Sequence, residues 1–460
     1  MAYRKLITCL CVFVLVQVSD AADGPTWKAG VAKVLITPNK PMWLSGYAAR
    51  THPADGKLQD LYAKSLVLED SKGNLGLLVT MDLVGISREM SQSIRKEIVR
   101  RWRIPEESIL LAVSHTHSGP VVEGNLTSMY ALDAEQLRLV QSYRQELEAN
   151  ILRAVGEALD HRVPAHLSWG TGKADFAVNR RNNKEADVPR LRREGALRGP
   201  TDPDVPVLAI YTMENRLLAV AFGYACHATV LDGYAWSSDY PGAAQSALEA
   251  AHPGAVALFW AGCGADQNPL PRRQVAYVEE YGKKLAAAVK TVLAGKLPTL
   301  LPELATTGTE VALPFAELPT RDQIVADTRS SNRYTAARAK MLLGQLDRNG
   351  SLSKSYPYPI NVWRLGKQLT WIGLGGEVVV DYALRLKKEL GPGPVWVTAY
   401  CNDVMAYIPS RRVLDEGGYE GGGAMVYYGL PAFWGPRVEE IIVEAVRGQA
   451  GKLGAIGPLP

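Results

Sequence analysis

The chain has 460 residues, of which 47% are hydrophobic and 21% charged, and its formal charge is +4. That balance fits a globular protein with a sizeable core. The excess charge is spread thinly and no lysine/arginine block stands out, which excludes nucleic acid, a partner that calls for a basic stripe.

At the N-terminus a basic MAYRK precedes the apolar stretch LITCLCVFVLVQV, 13 residues long, and the small-residue sequence Ser19-Asp20-Ala21 follows. A bilayer span needs about 20 apolar residues, so residues 1–21 are expected to be a cleavable signal peptide. The mature protein, 22–460, is then expected to be secreted or periplasmic, and no later segment is long and apolar enough to span a membrane. Two of the five cysteines, Cys9 and Cys11, belong to the signal. Cys226, Cys263 and Cys401 are too few and too scattered for a disulfide framework. One bridge with one free thiol and three buried thiols both fit the spacing.

Strand-like and helix-like segments then alternate. TWKAGVAKVLITP predicts a strand, and KSLVLEDSKGNLGLLVTMD a hairpin turning at Lys72-Gly73-Asn74. SREMSQSIRKEIVRRWRI has helical spacing with Ser87 as its cap. SILLAV is a short buried strand, and DAEQLRLVQSYRQELEANILRAVGEAL a long amphipathic helix. A polar loop of unusual length starts at Asn179, and VPVLAIYTMENRLLAVAFGYACHA reads as a hairpin with its turn near Glu214-Asn215. Helix-like DYPGAAQSALEAA and the strand AVALFWAGCG follow. A second long loop, RSSNRYTAARAKMLLGQLDRNGSLSKSYPYP, contains a helix and is read as a lid. The last third gives a strand pair in INVWRLGKQLTWIGLGG, a helix in EVVVDYALRLKKEL, the strand VWVTAYCND and a closing helix in PRVEEIIVEAVRGQ. Hairpins mixed with helices, and no dividing linker, predict one large α/β domain with mixed β-sheets flanked by helices.

Two of the seven histidines, His115 and His117, stand together in SHTHSGP at the end of a buried strand. Strand ends are where α/β proteins build their sites, and a His-x-His pair is a moderate metal signal. Two hydrogen-bonded histidines in a turn is the plainer alternative. His227 ends another apolar strand in GYACHAT, where a structural core histidine fits equally well. Glu377 follows a strand and a glycine turn, and would also serve as an acid at a helix N-terminus. Tyr407 and Tyr419 lie in glycine-rich and polar segments, Tyr419 among five glycines. Each is weak alone, but several zinc-type donors at strand-to-loop junctions reinforce one another.

These motifs resemble the neutral/alkaline non-lysosomal ceramidase family, zinc-dependent amidohydrolases of the ceramide N-acyl bond. WKAGVAKVLITP, LSGYAAR, VTMDLVGIS, SHTHSGP, VNRRN, YACHATVLDG, SSDYPG, GGEVVV, CNDVMAYIPS and GYEGGGAMVYYG follow the family's motif order from about residue 27 to about 440. The resemblance implies a single zinc-hydrolase-like catalytic domain, without the family's C-terminal immunoglobulin-like domain. It implies Zn2+ held by His115, His227, Glu377 and Tyr419, with His117, Tyr407 and Arg180 lining the reaction centre. Two imidazoles, a carboxylate and a phenol leave zinc room for a water. The implied activity is attack by that zinc-bound water on the N-acyl amide of ceramide or a related N-acyl lipid. Hydrolysis of another amide or ester, and an inactive metal- or lipid-binding homologue, are the alternatives. The implied partners are a small-molecule lipid or amide and, transiently, a membrane surface; the motifs do not specify an oligomeric state. Asp82, at a strand end, is read either as a partner orienting a ligand histidine or as a turn cap. One departure is plain: GCGADQNPLP puts Asn268 where the family has serine, and an amide cannot act as a nucleophile.

Overall fold

Period-two alternation divides the strands' side chains between two cores. In the strand Ile109–Val113, Ile109, Leu111 and Val113 enter one core while Leu110 and Ala112 enter the other. The strand Tyr62–Glu69 splits in the same way, Ala63 and Val67 against Leu66 and Leu68. Strands buried on both faces must be covered twice, and here helices cover one face and a second sheet the other. The computed structural model describes residues 26–391 and 393–454; the expected signal peptide lies outside the described residues.

The main sheet has nine strands. In spatial order they are Val256–Ala261, Leu217–Tyr224, Asp204–Thr212, Val163–Lys173, Trp27–Leu35, Tyr62–Glu69, Leu75–Met81 and Ile109–Val113, with Thr299–Leu300 paired onto Val163–Lys173. The outermost pair on each side is parallel and the inner pairs are antiparallel, so the sheet is mixed as the hairpins predict. A four-stranded sheet of Leu304–Pro314, Ser355–Leu365, Leu369–Leu374 and Val395–Thr398 covers one face. Tryptophans fill the space between them: the Trp371 ring centroid lies 4.5 Å from Trp260, 5.5 Å from Trp396 and 6.0 Å from Trp363. Truncating any one of these buried rings to alanine costs roughly 3–5 kcal/mol.

On the other face the helix Ala134–Asp160 buries Val140, Tyr143, Leu147, Ile151 and Ala158 at helical spacing, capped by Asp133 accepting from Gln136 N. The helix Val275–Leu293 packs beside Asp239–Ala251. The sheet curls until strand ends from its two sides meet. Thr116, just beyond Val113, bridges Ala228, just beyond Tyr224, and His117 N donates to Ala228 O at 3.2 Å. This curl brings the two histidine segments to one place.

Most of the expected elements are present, including the Ser87 cap, which accepts from Met90 N. The strands Val163–Lys173 and Leu304–Pro314 and the helix Val275–Leu293 are additions to the sequence reading. The polar loop from Asn179 contains a short helix, Val188–Arg193. The second loop forms a helical hairpin, Arg321–Asp327 and Arg333–Asn349, around a small core of Ile324, Ala339, Leu342 and Leu352. Arg333 and Tyr334 both donate to Ala48 O, which seats this hairpin beside the Gly46–Arg50 turn. Cys226, Cys263 and Cys401 are buried free thiols. No helix of the described residues is long and apolar enough to cross a membrane.

Candidate metal centre

His115 leaves its strand in a left-handed conformation, φ 59°, which a non-glycine residue adopts at a cost of about 1–3 kcal/mol. The turn points its Nδ1 at the carbonyl of Val84, 2.6 Å away. His227 makes the equivalent contact from Nδ1 to Gly264 O at 2.8 Å. A carbonyl only accepts, so both Nδ1 atoms carry a proton, which leaves each Nε2 free to present a lone pair to a metal. Those lone pairs converge on one atom: Glu377 Oε2 lies 3.1 Å from His115 Nε2 and 3.2 Å from His227 Nε2.

Glu377 reaches this point because Gly375 and Gly376 turn the chain after the strand Leu369–Leu374. Gly376 has φ 74°, and a Cβ there would lie 2.7 Å from Ile408 Cγ1 and 2.8 Å from Ala406 O. The short parallel ladder Glu377–Val378 with Tyr407–Ile408 then sets Glu377 directly beside Tyr407. Tyr407 Oη lies 3.3 Å from His227 Nε2, and Tyr428 Oη donates to Glu377 Oε1. Glu377 Oε2, by contrast, is buried with no hydrogen-bond donor. Burial pushes the Glu377 carboxyl up, and only positive charge at His115 and His227, or a cation standing between them, holds it well below the usual carboxylate range. Burial, reinforced by Arg180, pulls His227 down to about 4, so its ring is neutral at physiological pH. An ionised carboxylate oxygen facing imidazole lone pairs in a buried space needs a cation among them. The donor set therefore fits a metal ion.

His117 completes a cluster of three imidazoles whose ligand atoms lie within 4.8 Å of one another. Its Nε2 is 3.1 Å from His115 Nε2, and its Nδ1 has no protein partner. Burial, then the neighbouring histidines, hold its ring well below the ordinary histidine value. Gly46 permits this placement, since a Cβ there would lie 2.5 Å from the His117 ring. His117 is 9% exposed and lines a cavity of about 640 Å³, together with Arg180, Asn268, Tyr407 and Tyr419.

Arg180 uses its guanidinium in three directions. Nε donates to Glu420 Oε1 at 2.7 Å, Nη1 to Asn268 Oδ1 at 3.2 Å and Nη2 to Tyr407 Oη at 3.1 Å. Its neighbour Arg181 donates to the other oxygen of Glu420 at 2.6 Å and to Glu416 at 3.0 Å. Asp266 ties this rim to the centre: its backbone carbonyl accepts from Arg180 N, and its carboxylate from Asn179 Nδ2 and Val380 N. The carboxylate thus fastens the Arg180 hairpin to the helix that follows Glu377.

The expected site residues thus gather in one region. Tyr407, expected at the substrate, is the tyrosine whose hydroxyl reaches His227. Tyr419, expected as a ligand, stacks edge-on against the Tyr407 ring at 5.2 Å, lies 5.7 Å from the Arg180 guanidinium and is 43% exposed. The reason is register, because Tyr407 pairs with Glu377 while Tyr419 sits in a glycine-rich turn at the rim. Asp82 accepts from Tyr62 N at 2.9 Å, and the orienting partner of His115 is the Val84 carbonyl instead. Sequence reasoning passed over Tyr428, which holds Glu377, and Glu420, which holds both arginines. Tyr428 gave a faint signal as a polar-tipped ring in the Gly-rich segment; Glu420 gave none.

Comparison with known proteins agrees with this geometry. The family model "Neutral/alkaline non-lysosomal ceramidase, N-terminal" matches residues 27–274. The neutral ceramidase of Drosophila melanogaster is 24% identical over 215 residues, 45% of this chain and 29% of that protein. That of Pseudomonas aeruginosa is 21% identical over 226 residues, 48% of this chain and 32% of that protein. Each match thus spans under a third of the relative's own length. The crystal structure of the Pseudomonas aeruginosa neutral ceramidase superposes with a TM-score of 0.73 at 17% identity, covering 94% of this chain and 75% of that one. This likeness supports the same mixed α/β fold across both sheets. The chain belongs to the neutral/alkaline non-lysosomal ceramidase family.

Proposed function

We propose that the protein is an exported, zinc-dependent amidohydrolase that cleaves an N-acyl amide of the ceramide type. The observation that carries this reading is the orphaned Glu377 Oε2 between two imidazole lone pairs. The separations of 3.1, 3.2 and 3.3 Å among His115, Glu377, His227 and Tyr407 donors suit zinc. Ligand atoms about 2.0–2.1 Å from a zinc ion stand roughly 3 Å from one another. We therefore assign His115, His227, Glu377 and Tyr407 as the ligands, and Tyr419 as a substrate-facing residue of the rim. Zinc bound there would supply Lewis-acid polarisation of the amide carbonyl and an acidified water.

The chain's own residues do the rest. Val84 O and Gly264 O fix the tautomers of His115 and His227, and Tyr428 orients the Glu377 carboxylate. His117 faces the cavity as a neutral ring, able to exchange hydrogen bonds with water or the substrate amide. Arg180 holds the Tyr407 hydroxyl toward the centre.

A second reading concerns the substrate. The cavity wall carries Arg181, Lys184, Glu185, Arg272, Glu416 and Glu420, and its one aliphatic side chain is Leu270. A buried methylene contributes about 0.8 kcal/mol only where it meets apolar surface. This wall favours an N-acyl amine with polar flanks over one with two long alkyl chains.

The experiment is an acyl-length series of N-acylsphingosines beside N-acetylated polar amines, assayed with zinc, after chelation and after zinc is restored. Zinc-dependent release of free amine is expected. Rates that rise steeply with chain length support the lipid, and rates that do not support the polar amide. Full activity after complete chelation contradicts the zinc reading.

A further inference from the structure

Asn268 ends the chain of contacts that starts at the metal centre, and half of its amide is unused. Its Oδ1 accepts from Arg180 Nη1 at 3.2 Å. A guanidinium only donates, so this bond fixes which way the amide is turned. Arg180 itself cannot rotate to release it, because Glu420 and Tyr407 hold its other nitrogens. The Asn268 backbone is pinned too, in antiparallel register with Val178. Asn268 is 4% exposed, yet it lines the cavity together with His117 and Tyr407. Its Nδ2 has no protein acceptor among the described residues. Two N–H groups therefore remain for whatever occupies the cavity.

We infer that Asn268 donates a hydrogen bond from Nδ2 to the oxygen of the scissile amide as that oxygen gains negative charge. The inference rests on the hydrolase reading above but not on the identity of the substrate. A side-chain amide suits the task because it stays neutral at any working pH and cannot itself attack a carbonyl. Held in place by Arg180, it needs no reorganisation when the charge develops, which is what makes such a donor effective. Arg180 is then a positioning residue, acting through Asn268 and Tyr407, and its three contacts leave little of it for the substrate.

The test compares Asn268→Ala and Asn268→Asp with wild type, using a fluorescent N-acylsphingosine and p-nitroacetanilide as probes. Zinc content and thermal melting of each variant report whether the centre and the fold persist. Asn268→Ala is expected to lower kcat by about 10²–10³-fold with little change in KM, on whichever probe the wild type turns over. Asn268→Asp still offers Arg180 an acceptor but turns a second carboxylate oxygen on the substrate oxygen. It is expected to lose at least as much rate as the alanine variant, with zinc retained. Rescue by Asn268→Asp would mean that Asn268 only holds Arg180. That result, or a kcat of Asn268→Ala within about threefold of wild type, would overturn the inference while leaving the hydrolase reading intact. A zinc-loaded wild type that turns over neither probe would overturn both together.

Discussion

His115 and His227 are held from behind by backbone carbonyls, whereas Arg180 and Arg181 are held by carboxylates 235 to 240 residues away in the chain. The inner side of the site is therefore a property of where strands end. Its tautomers are set as soon as the sheet closes, and salt has little access to it. The rim is a property of long-range charge pairing, partly open to solvent, with Glu420 serving two guanidinium groups at once. The difference predicts that the centre keeps its geometry while the rim is altered, and that the rim governs what enters and how it is oriented.

The largest effect tests the inner side. His115→Ala is expected to remove the metal and nearly all hydrolysis, measured by elemental analysis and amine release. His117→Ala is expected to keep the metal and lose about 10²–10⁴-fold in rate. Equal metal loss in both variants would erase the distinction between a ligand and a cavity-facing histidine. Next comes Glu420→Gln at the rim, which removes the anion shared by two half-buried guanidinium groups. It is expected to destabilise the fold by about 1–3 kcal/mol in urea unfolding, with the metal still bound at low denaturant. Loss of metal there would show the two sides to be one unit.

The tyrosines sharpen the comparison further. Tyr428→Phe frees Glu377 Oε1 and should weaken metal affinity by about 10–100-fold in chelator competition. Tyr407→Phe should weaken it too, whereas Tyr419→Phe should leave it unchanged and alter only KM. The smallest effect is one of pH. Burial depresses His227 from its ordinary 6.5 to about 4 in the metal-free fold. The unfolded chain then binds the proton first as pH falls, so the neutral ring stabilises the fold fully above pH 6.5 and progressively less down to about 4. Denaturation of chelated protein at pH 7.5, 5.5 and 4.5 should show this decline, and His227→Gln should flatten it.

Much of the inner side was legible in the sequence because its determinants are local. A buried strand ending in SHTHSGP, another ending in YACHAT, and a glycine turn before Glu377 each announce a strand-to-loop junction. The meeting of those junctions depends on the curl of the sheet, which no local pattern encodes. The placement of Tyr407 and Tyr419 shows the same limit. Both are tyrosines in polar segments, and only the ladder between Glu377 and Tyr407 decides which one reaches the histidines.

The fold divides likewise. The helix Val275–Leu293 has plain helical spacing in Val278, Tyr281, Leu285, Val289 and Val292, yet was passed over. The strand Leu304–Pro314 was not legible, because only Leu304 and Leu313 are fully buried and small or polar residues occupy most positions between them. Glu420 was invisible for a different reason: an acidic residue among glycines is ordinary until its arginine partners are brought to it.

X-ray absorption at the zinc edge of the purified protein tests the central claim most directly. One zinc per chain is expected, with nitrogen and oxygen donors at about 2.0–2.1 Å, two of them imidazole. His227→Ala should lose the metal as His115→Ala does, and Tyr419→Phe should leave the spectrum unchanged. Absence of a bound metal, or three imidazoles around it, would contradict the account.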